Sequence, residues 1–318
     1  SNKRLNQRIK SFHQSLSNYQ LITQDSAKAY QAYIKHAHWF YQKLVAPVLK
    51  NKKHIQNLVL VTDGELGHLP FETFLTEEAD QSITDYSKLP YLVKKYSVSY
   101  NYSATLWKEN TEALALTNNQ QILGIAPNYN ILLDSSLQYI RSPTDQLTRE
   151  LLIPLPEARR EVEMLQQKYR GFFAFDSLAS EKTVKEKAAD FAILHFATHG
   201  VFKTKTPILS SLVFSEDNDS LESNFWQAHE ISKTPLNADL VVLSACKTAY
   251  GKFEKGNGIA SLARSFMYAG APALIVSLWQ VNDFSTSQIM VNLYENLAND
   301  MKKDEALRQA KLDYIKSS

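Results

Sequence analysis

The sequence predicts an α/β protein: a mostly parallel sheet with flanking helices, preceded by an amino-terminal helical hairpin. Three observations predict it. Uninterrupted apolar runs of strand length recur at Ile122–Ala126, Ile193–Phe196, Leu240–Leu243 and Ala273–Leu278, as expected of strands buried on both faces. Stretches with helical spacing of apolar residues lie between several of them, and strand–helix alternation at this interval means parallel crossover connections. The first 50 residues, by contrast, carry only the helical period.

In that first segment Leu5, Ile9, Phe12 and Leu16 recur at spacings of three and four, as do Tyr30, Tyr33, Ile34, Phe40, Tyr41 and Leu44. Pro47 closes the second helix. Two such helices must dock on another element to bury their stripes. The pair fits the end of a helical repeat array, although no second copy of the pattern occurs. Leu58–Thr62 reads as a buried strand followed by the Asp63-Gly64 turn. Tyr91–Tyr102 reads as a strand. From Asn128 to Ile153 no period is visible, and Pro143, Pro154 and Pro156 punctuate the stretch, which reads as a long exposed loop. Pro156 opens a helix to about Arg170, with Val162, Leu165 and Tyr169 on one face and Gly171 as its stop. Phe172–Phe175 is a short strand, and Ser180 caps a helix over 181–189. Leu212–Phe214 is a further strand. Gly258–Ala269 is a helix ended by Gly270. Ser285 and Gln288 form a capping box for a helix carrying Ile289, Leu293 and Leu297. Asp304 starts the last helix.

Composition narrows the function. The charge is nearly balanced, 35 basic against 33 acidic residues, and no basic stretch is interleaved with aromatics, so no nucleic-acid partner is expected. No apolar run approaches the roughly 20 residues of a membrane helix, and the polar amino terminus lacks the core of a signal peptide. One cysteine excludes an intrachain disulfide and a thiolate-rich zinc site. These features suit a cytoplasmic protein that needs no metal or organic cofactor.

That single cysteine, Cys246, stands just past the Leu240–Leu243 run. A lone cysteine is ordinarily an inert core residue. Here it has polar neighbours, Ser244, Lys247 and Thr248, and Gly251, Gly256 and Gly258 follow it. His199 stands just past the Ile193–Phe196 run and is followed by Gly200. The ordinary role of such a histidine is a satisfied strand end, a role better suited to His195 inside the run. Sites in parallel sheets form at the carboxyl ends of strands. If the two strands are neighbours, an imidazole and a thiol meet there as a nucleophilic pair. The N–H groups of Gly200 and Cys246 would then share an oxyanion. A histidine roughly 50 residues before the cysteine is also the caspase spacing. Ser244 makes a poor serine nucleophile, because no nucleophile-elbow glycine pattern surrounds it. Asp239 and Glu230 are candidates to orient His199.

These motifs carry a resemblance. Thr198-His199-Gly200, Leu243-Ser244-Ala245-Cys246-Lys247-Thr248, Gly256-Asn257-Gly258, residues 263–271 and Ser277-Leu278-Trp279-Gln280-Val281-Asn282-Asp283 resemble the CHAT domain family. Its members are caspase-like domains found with tetratricopeptide repeats and related to separases. The likeness extends from about Pro156 to Tyr314 and, more weakly, to Asp63-Gly64-Glu65-Leu66 and Leu69-Pro70-Phe71-Glu72. The resemblance implies a caspase-haemoglobinase-like fold and a cysteine endopeptidase with a His199–Cys246 dyad. It divides the chain into a helical segment over 1–50, a non-catalytic half over 51–150 and a catalytic half over 151–318. It also implies that Asp283 holds an arginine or lysine P1 side chain, with Trp279 in the pocket wall; without it, Asp283 reads as a turn residue. Arg141, Arg149, Arg159 and Arg160, in or beside the long loop, then become candidate self-processing sites. The implied partners are a protein or peptide substrate and a regulatory protein or repeat region reached through the first helices. The sequence stops short of a further strand found in many members and lacks their upstream repeats, so it reads as a segment of a longer protein. The alternative is a catalytically silent scaffold of the same fold.

Overall fold

The computed structural model describes residues 2–82, 84–113, 121–129, 154–203, 205–215, 224–244, 257–278 and 283–317. The chain forms two compact units, Ser1–Glu109 with Asn292–Ser318, and Asn110–Val291. They divide the chain differently from the three sequence-based segments. The amino-terminal helices share a core with residues up to Leu92, and the carboxyl-terminal helix joins the first unit, not the second.

In the first unit, helices Asn2–Ser17, Tyr19–Gln24 and Ser26–Phe40 replace the simple hairpin. Pro47 does not close the second of the expected helices. The chain passes from Phe40 into a wide turn, Tyr41–Val45, and then a short helix, Ala46–Leu49, with Pro47 in its first turn, where a missing N–H costs nothing. The predicted stripes are the buried ones: Ile9, Phe12, Tyr33 and Phe40 pack on Phe71, Phe74 and Leu92. Strand β1 (Asn57–Val61) pairs in parallel with β2 (Ser97–Asn101). The stretch expected as one strand, Tyr91–Tyr102, is thus a helical turn, Leu92–Lys95, followed by β2.

The helix Lys303–Ser317 packs on β2 and reaches the loops beside it. Asp304 accepts from Ser97 Oγ at 2.9 Å, and Arg308 donates to the carbonyls of Val93 and Lys94, each at 2.8 Å. Lys311 Nζ lies 3.0 Å from Glu72 Oε1, and the Tyr100 hydroxyl donates to the other oxygen. Burial alone would push the Glu72 carboxyl up; the Lys311 ammonium and the Tyr100 hydroxyl outweigh it and hold it below its ordinary value. A depressed acid stabilises the fold above its unfolded pKa, and that contribution disappears as pH falls through the folded one. Lys311→Met removes the opposing ammonium and leaves burial against the Tyr100 hydroxyl and a backbone hydrogen bond, so the Glu72 pKa rises. The urea-midpoint gap between wild type and variant should therefore be widest near neutrality and close toward about pH 3.

The second unit is built on a sheet of five parallel strands, β3 (Ile122–Ala126), β4 (Gly171–Phe175), β5 (Ile193–Phe196), β9 (Leu240–Leu243) and β10 (Leu274–Val276). Their order across the sheet is β4-β3-β5-β9-β10. A smaller antiparallel sheet comprises β6 (Gly200–Val201), β7 (Ser211–Val213) and β8 (Phe225–Gln227). Of these only β7 is read from the sequence, through the apolar triplet Leu212–Phe214 that overlaps it. The chain runs from β3 outward to β4 and then returns to the other side of β3 as β5. That reversal makes β3/β5 the switch point where a doubly wound sheet opens a crevice at its carboxyl edge.

Both faces are covered. On one, Leu194, Phe196, Val241 and Leu243 pack with Trp226 and Phe266, the rings of Phe196 and Trp226 6.1 Å apart and those of Trp226 and Phe266 5.7 Å apart. On the other lies the helix Pro156–Lys168, with Ala158 and Val162 against Ala126, Tyr129 and Ala197. That helix ends in Tyr169 with extended backbone, so Gly171 is not its stop. Gly171 opens β4, where a Cβ would stand 1.9 Å from the Ile122 carbonyl oxygen. Gly270 does end the helix Asn257–Tyr268, with φ of +113°. Ser180 caps Glu181–Lys187 by accepting from the Thr183 N–H at 3.2 Å. The helix expected to start at Ser285 begins at Asp283 instead, which puts Ser285 inside its first turn.

Candidate active site

The apolar runs of β5 and β9, buried on both faces, lie side by side in parallel, with Phe196 opposite Leu243 and the ladder carried one step further by the Ser244 N–H to the Phe196 carbonyl at 3.0 Å. On the far side of β9, Leu243 is opposite Val276 of β10. From this one row of the sheet the chain needs three further residues in each strand to reach His199, Cys246 and Trp279. The strands that lead to the imidazole and the thiol are therefore in-register neighbours, and both lead to the carboxyl edge. Cys246 and Trp279 themselves lie outside the described residues. Asp283 is the first residue of the helix Asp283–Ala298.

His199 is held by its backbone. Its N–H donates to the Tyr129 hydroxyl at 3.0 Å, and its carbonyl accepts from the Val213 N–H at 2.9 Å. The Tyr129 and His199 rings are 4.6 Å apart and inclined at 49°. The Tyr129 hydroxyl lies 2.6 Å from Thr198 Oγ1, and Thr198 donates to the Val213 carbonyl. The Tyr129 hydroxyl that accepts the His199 N–H is also within 3.1 Å of the Val213 carbonyl, so Tyr129, Thr198 and Val213 form one hydrogen-bonded group against the His199 backbone. His199 is 1% exposed and Tyr129 fully buried.

Gly200 pairs with Leu212, while the flanking His199 carbonyl takes the Val213 N–H. In an antiparallel ladder that pattern makes Gly200–Leu212 the pair that exchanges no hydrogen bonds. The Gly200 N–H therefore points away from β7.

Below this edge, on the face of the helix Pro156–Lys168, lies a buried polar cluster. His195 Nε2 is 2.8 Å from Glu161 Oε1, and Ser244 Oγ donates to Glu161 Oε2 at 2.8 Å. His195 is the core histidine that its place within the apolar run predicts. Ser244 faces the same carboxylate.

Neither candidate orienter of His199 is free for that task. Glu230 accepts from Lys185 at 3.0 Å and from the Gln227 N–H at 2.9 Å. Asp239 sits at the amino end of β9, where its N–H bonds the Ala192 carbonyl at 2.7 Å, a full strand away from the carboxyl edge. Of the arginines proposed as self-processing sites, Arg159 and Arg160 are helical, and Arg159 is tied to Glu163 and Asp176, each at 2.8 Å. Helical backbone is not the extended form a protease takes. Arg141 and Arg149 lie outside the described residues, as do 130–153 generally.

Tyr129 and Glu161 were not singled out from the sequence, yet each left a signal. Tyr129 stands three residues past Ala126 at the end of an apolar run, as His199 stands three past Phe196. Glu161 interrupts the buried stripe Ala158, Val162, Leu165.

These features define a caspase-like α/β domain in which the strands that lead toward its histidine and its cysteine are adjacent. Residues 35–318 match the CHAT domain family, and the chain belongs to it. It is similar to tetratricopeptide repeat protein 28 of Mus musculus, 22% identical over 308 residues, and to that of Homo sapiens, 23% identical over 313. Each alignment covers 85% of this chain and 12% of the relative, so the chain spans about an eighth of their length. Among the described residues no helix is long and apolar enough to cross a membrane.

Proposed function

We propose that this chain is a cysteine endopeptidase of the separase-like type, acting on protein substrates after arginine or lysine. The observation that carries the reading is the in-register pairing of β5 with β9, which leads His199 and Cys246 off one row of the sheet. His199 takes the thiol proton, and the thiolate attacks the scissile carbonyl. The N–H groups of Gly200 and Cys246 hold the resulting oxyanion. His199 then returns the proton to the leaving amine, leaving a thioester that water hydrolyses, and the thiol is regenerated. Asp283, with Trp279 in the pocket wall, pairs with the basic P1 side chain. The amino-terminal helices link the unit to a repeat or sensor region, in keeping with the tetratricopeptide-repeat relatives. A reducing cytoplasm keeps the thiol free.

A second reading, a silent scaffold, is favoured by the burial of His199 at 1% exposure. An arginine-directed covalent thiol probe separates the two. The protease reading expects labelling that disappears in Cys246→Ala and His199→Ala and weakens in Asp283→Ala. Absence of labelling, under conditions in which a known arginine-directed cysteine peptidase is labelled, would favour the scaffold. Labelling that survives Asp283→Ala undiminished would remove that residue from the P1 site.

A further inference from the structure

The cluster beneath the carboxyl edge has no part in the steps above, and its burial demands a reason. Glu161 is 2% exposed, His195 0% and Ser244 1%. Burying a carboxylate costs several kcal/mol unless partners replace its water, and apolar side chains of similar volume are often as stable or more so. What a buried charge can supply instead is a fixed register between the elements that hold it.

Here those elements are three. Glu161 rides on the helix Pro156–Lys168; His195 belongs to β5; Ser244 continues β9. One carboxylate oxygen meets His195 and the other meets Ser244, both at 2.8 Å. The helix can come close enough to do this because the strand residue beside His195 is Gly124. A Cβ there would lie 2.5 Å from the Phe173 ring and 3.1 Å from a Val162 methyl, and Val162 is the residue after Glu161. His195 precedes His199 by four residues, and Ser244 precedes Cys246 by two.

We infer that Glu161 is a positioning residue for the active site: its carboxylate bridges β5 and β9 through His195 and Ser244, and so fixes how far apart the ends of those strands stand. The inference rests on the His199–Cys246 reading above. Glutamine at 161 keeps an acceptor for Ser244 but turns an amide toward His195, which loosens one strand end while preserving volume. Alanine at 244 releases the other end with the loss of a single oxygen.

The test uses the pH profile of Cys246 alkylation by iodoacetamide, which needs no substrate and is unambiguous in a protein with one cysteine. A thiol paired with an imidazole reacts well below the ordinary thiol pKa of about 8.5. Wild type should show this acid-side reactivity, and His199→Ala should lose it. Glu161→Gln should reduce it roughly tenfold or more near pH 6 while the melting temperature stays within a few degrees. Ser244→Ala should act in the same direction, and the double variant should be no worse than Glu161→Gln alone. If Glu161→Gln does not fold, Ser244→Ala decides the question by itself. Acid-side reactivity that is present in wild type, lost in His199→Ala and untouched in the soluble Glu161 and Ser244 variants overturns the positioning role alone. An ordinary thiol profile in wild type, unchanged in His199→Ala, removes the dyad and this inference with it.

Discussion

His199→Ala is expected to lower kcat/KM on an arginine-containing peptide by roughly 10²–10⁴, the range lost when a positioned general base is removed. Most of the loss should fall on kcat, because in the proposed mechanism the imidazole acts on the thiol and the leaving amine and not on the bound side chain. The structure adds a graded companion. Tyr129→Phe keeps the ring 4.6 Å from the imidazole but removes the oxygen that accepts the His199 N–H and pairs with Thr198. A buried N–H then goes unsatisfied, at about 1–3 kcal/mol. We expect that cost to appear as lower stability together with a kcat roughly tenfold below wild type, at unchanged KM. Steady-state kinetics on the two variants, with a thermal melt of each, check both. A Tyr129→Phe enzyme with full kcat would show that His199 needs no clamp from β3.

What was legible in the sequence, and what was not, follows from the range of the signals. Strands buried on both faces, such as Leu240–Leu243, announce themselves as apolar runs, so the members of the parallel sheet were readable, although the half-buried β10 is three residues long, Leu274–Val276, where the run Ala273–Leu278 suggests six. Strand order is not written in any local period. That β5 lies between β3 and β9, which decides whether His199 and Cys246 approach one another, emerges only from pairing across 40 or more residues. The same holds for Tyr129, whose value depends on β3 being the other neighbour of β5. Glycine is the instructive error. Gly171 after a helix reads as a helix stop, whereas its reason is the carbonyl of Ile122 on the adjoining strand. A backbone contact with a residue 49 positions away leaves no mark on the sequence around it. Glu161 was visible as a charge in an apolar stripe, but its partners on two other elements were not.

That error leads to the largest stability effect expected of a single methyl. In Gly171→Ala the new Cβ would stand 1.9 Å from the Ile122 oxygen and 2.8 Å from its carbonyl carbon and amide nitrogen. All three are backbone atoms, so no rotamer change relieves the clash. Strand β4 is an edge strand and can retreat, but only by giving up its ladder to β3 along the five pairs from Ile122–Gly171 to Ala126–Phe175. We expect a loss of at least about 3 kcal/mol, in the class of overpacked cores, and a melting temperature lower by roughly 6–12 °C for a unit of this size. Gly67→Ala is the control: its Cβ would meet only Thr62 Oγ1, at 3.4 Å, so its effect should stay within about 0.5 kcal/mol. The damage should also reach the site, because Tyr129 follows β3 and its hydroxyl holds the His199 amide. Cys246 alkylation near pH 6 should therefore slow in Gly171→Ala well below its melting temperature, and remain at the wild-type rate in Gly67→Ala. Unchanged alkylation in a destabilised Gly171→Ala protein would mean that β4 moves without disturbing β3, and that the edge of the sheet is mechanically separate from the strands that carry the chemistry.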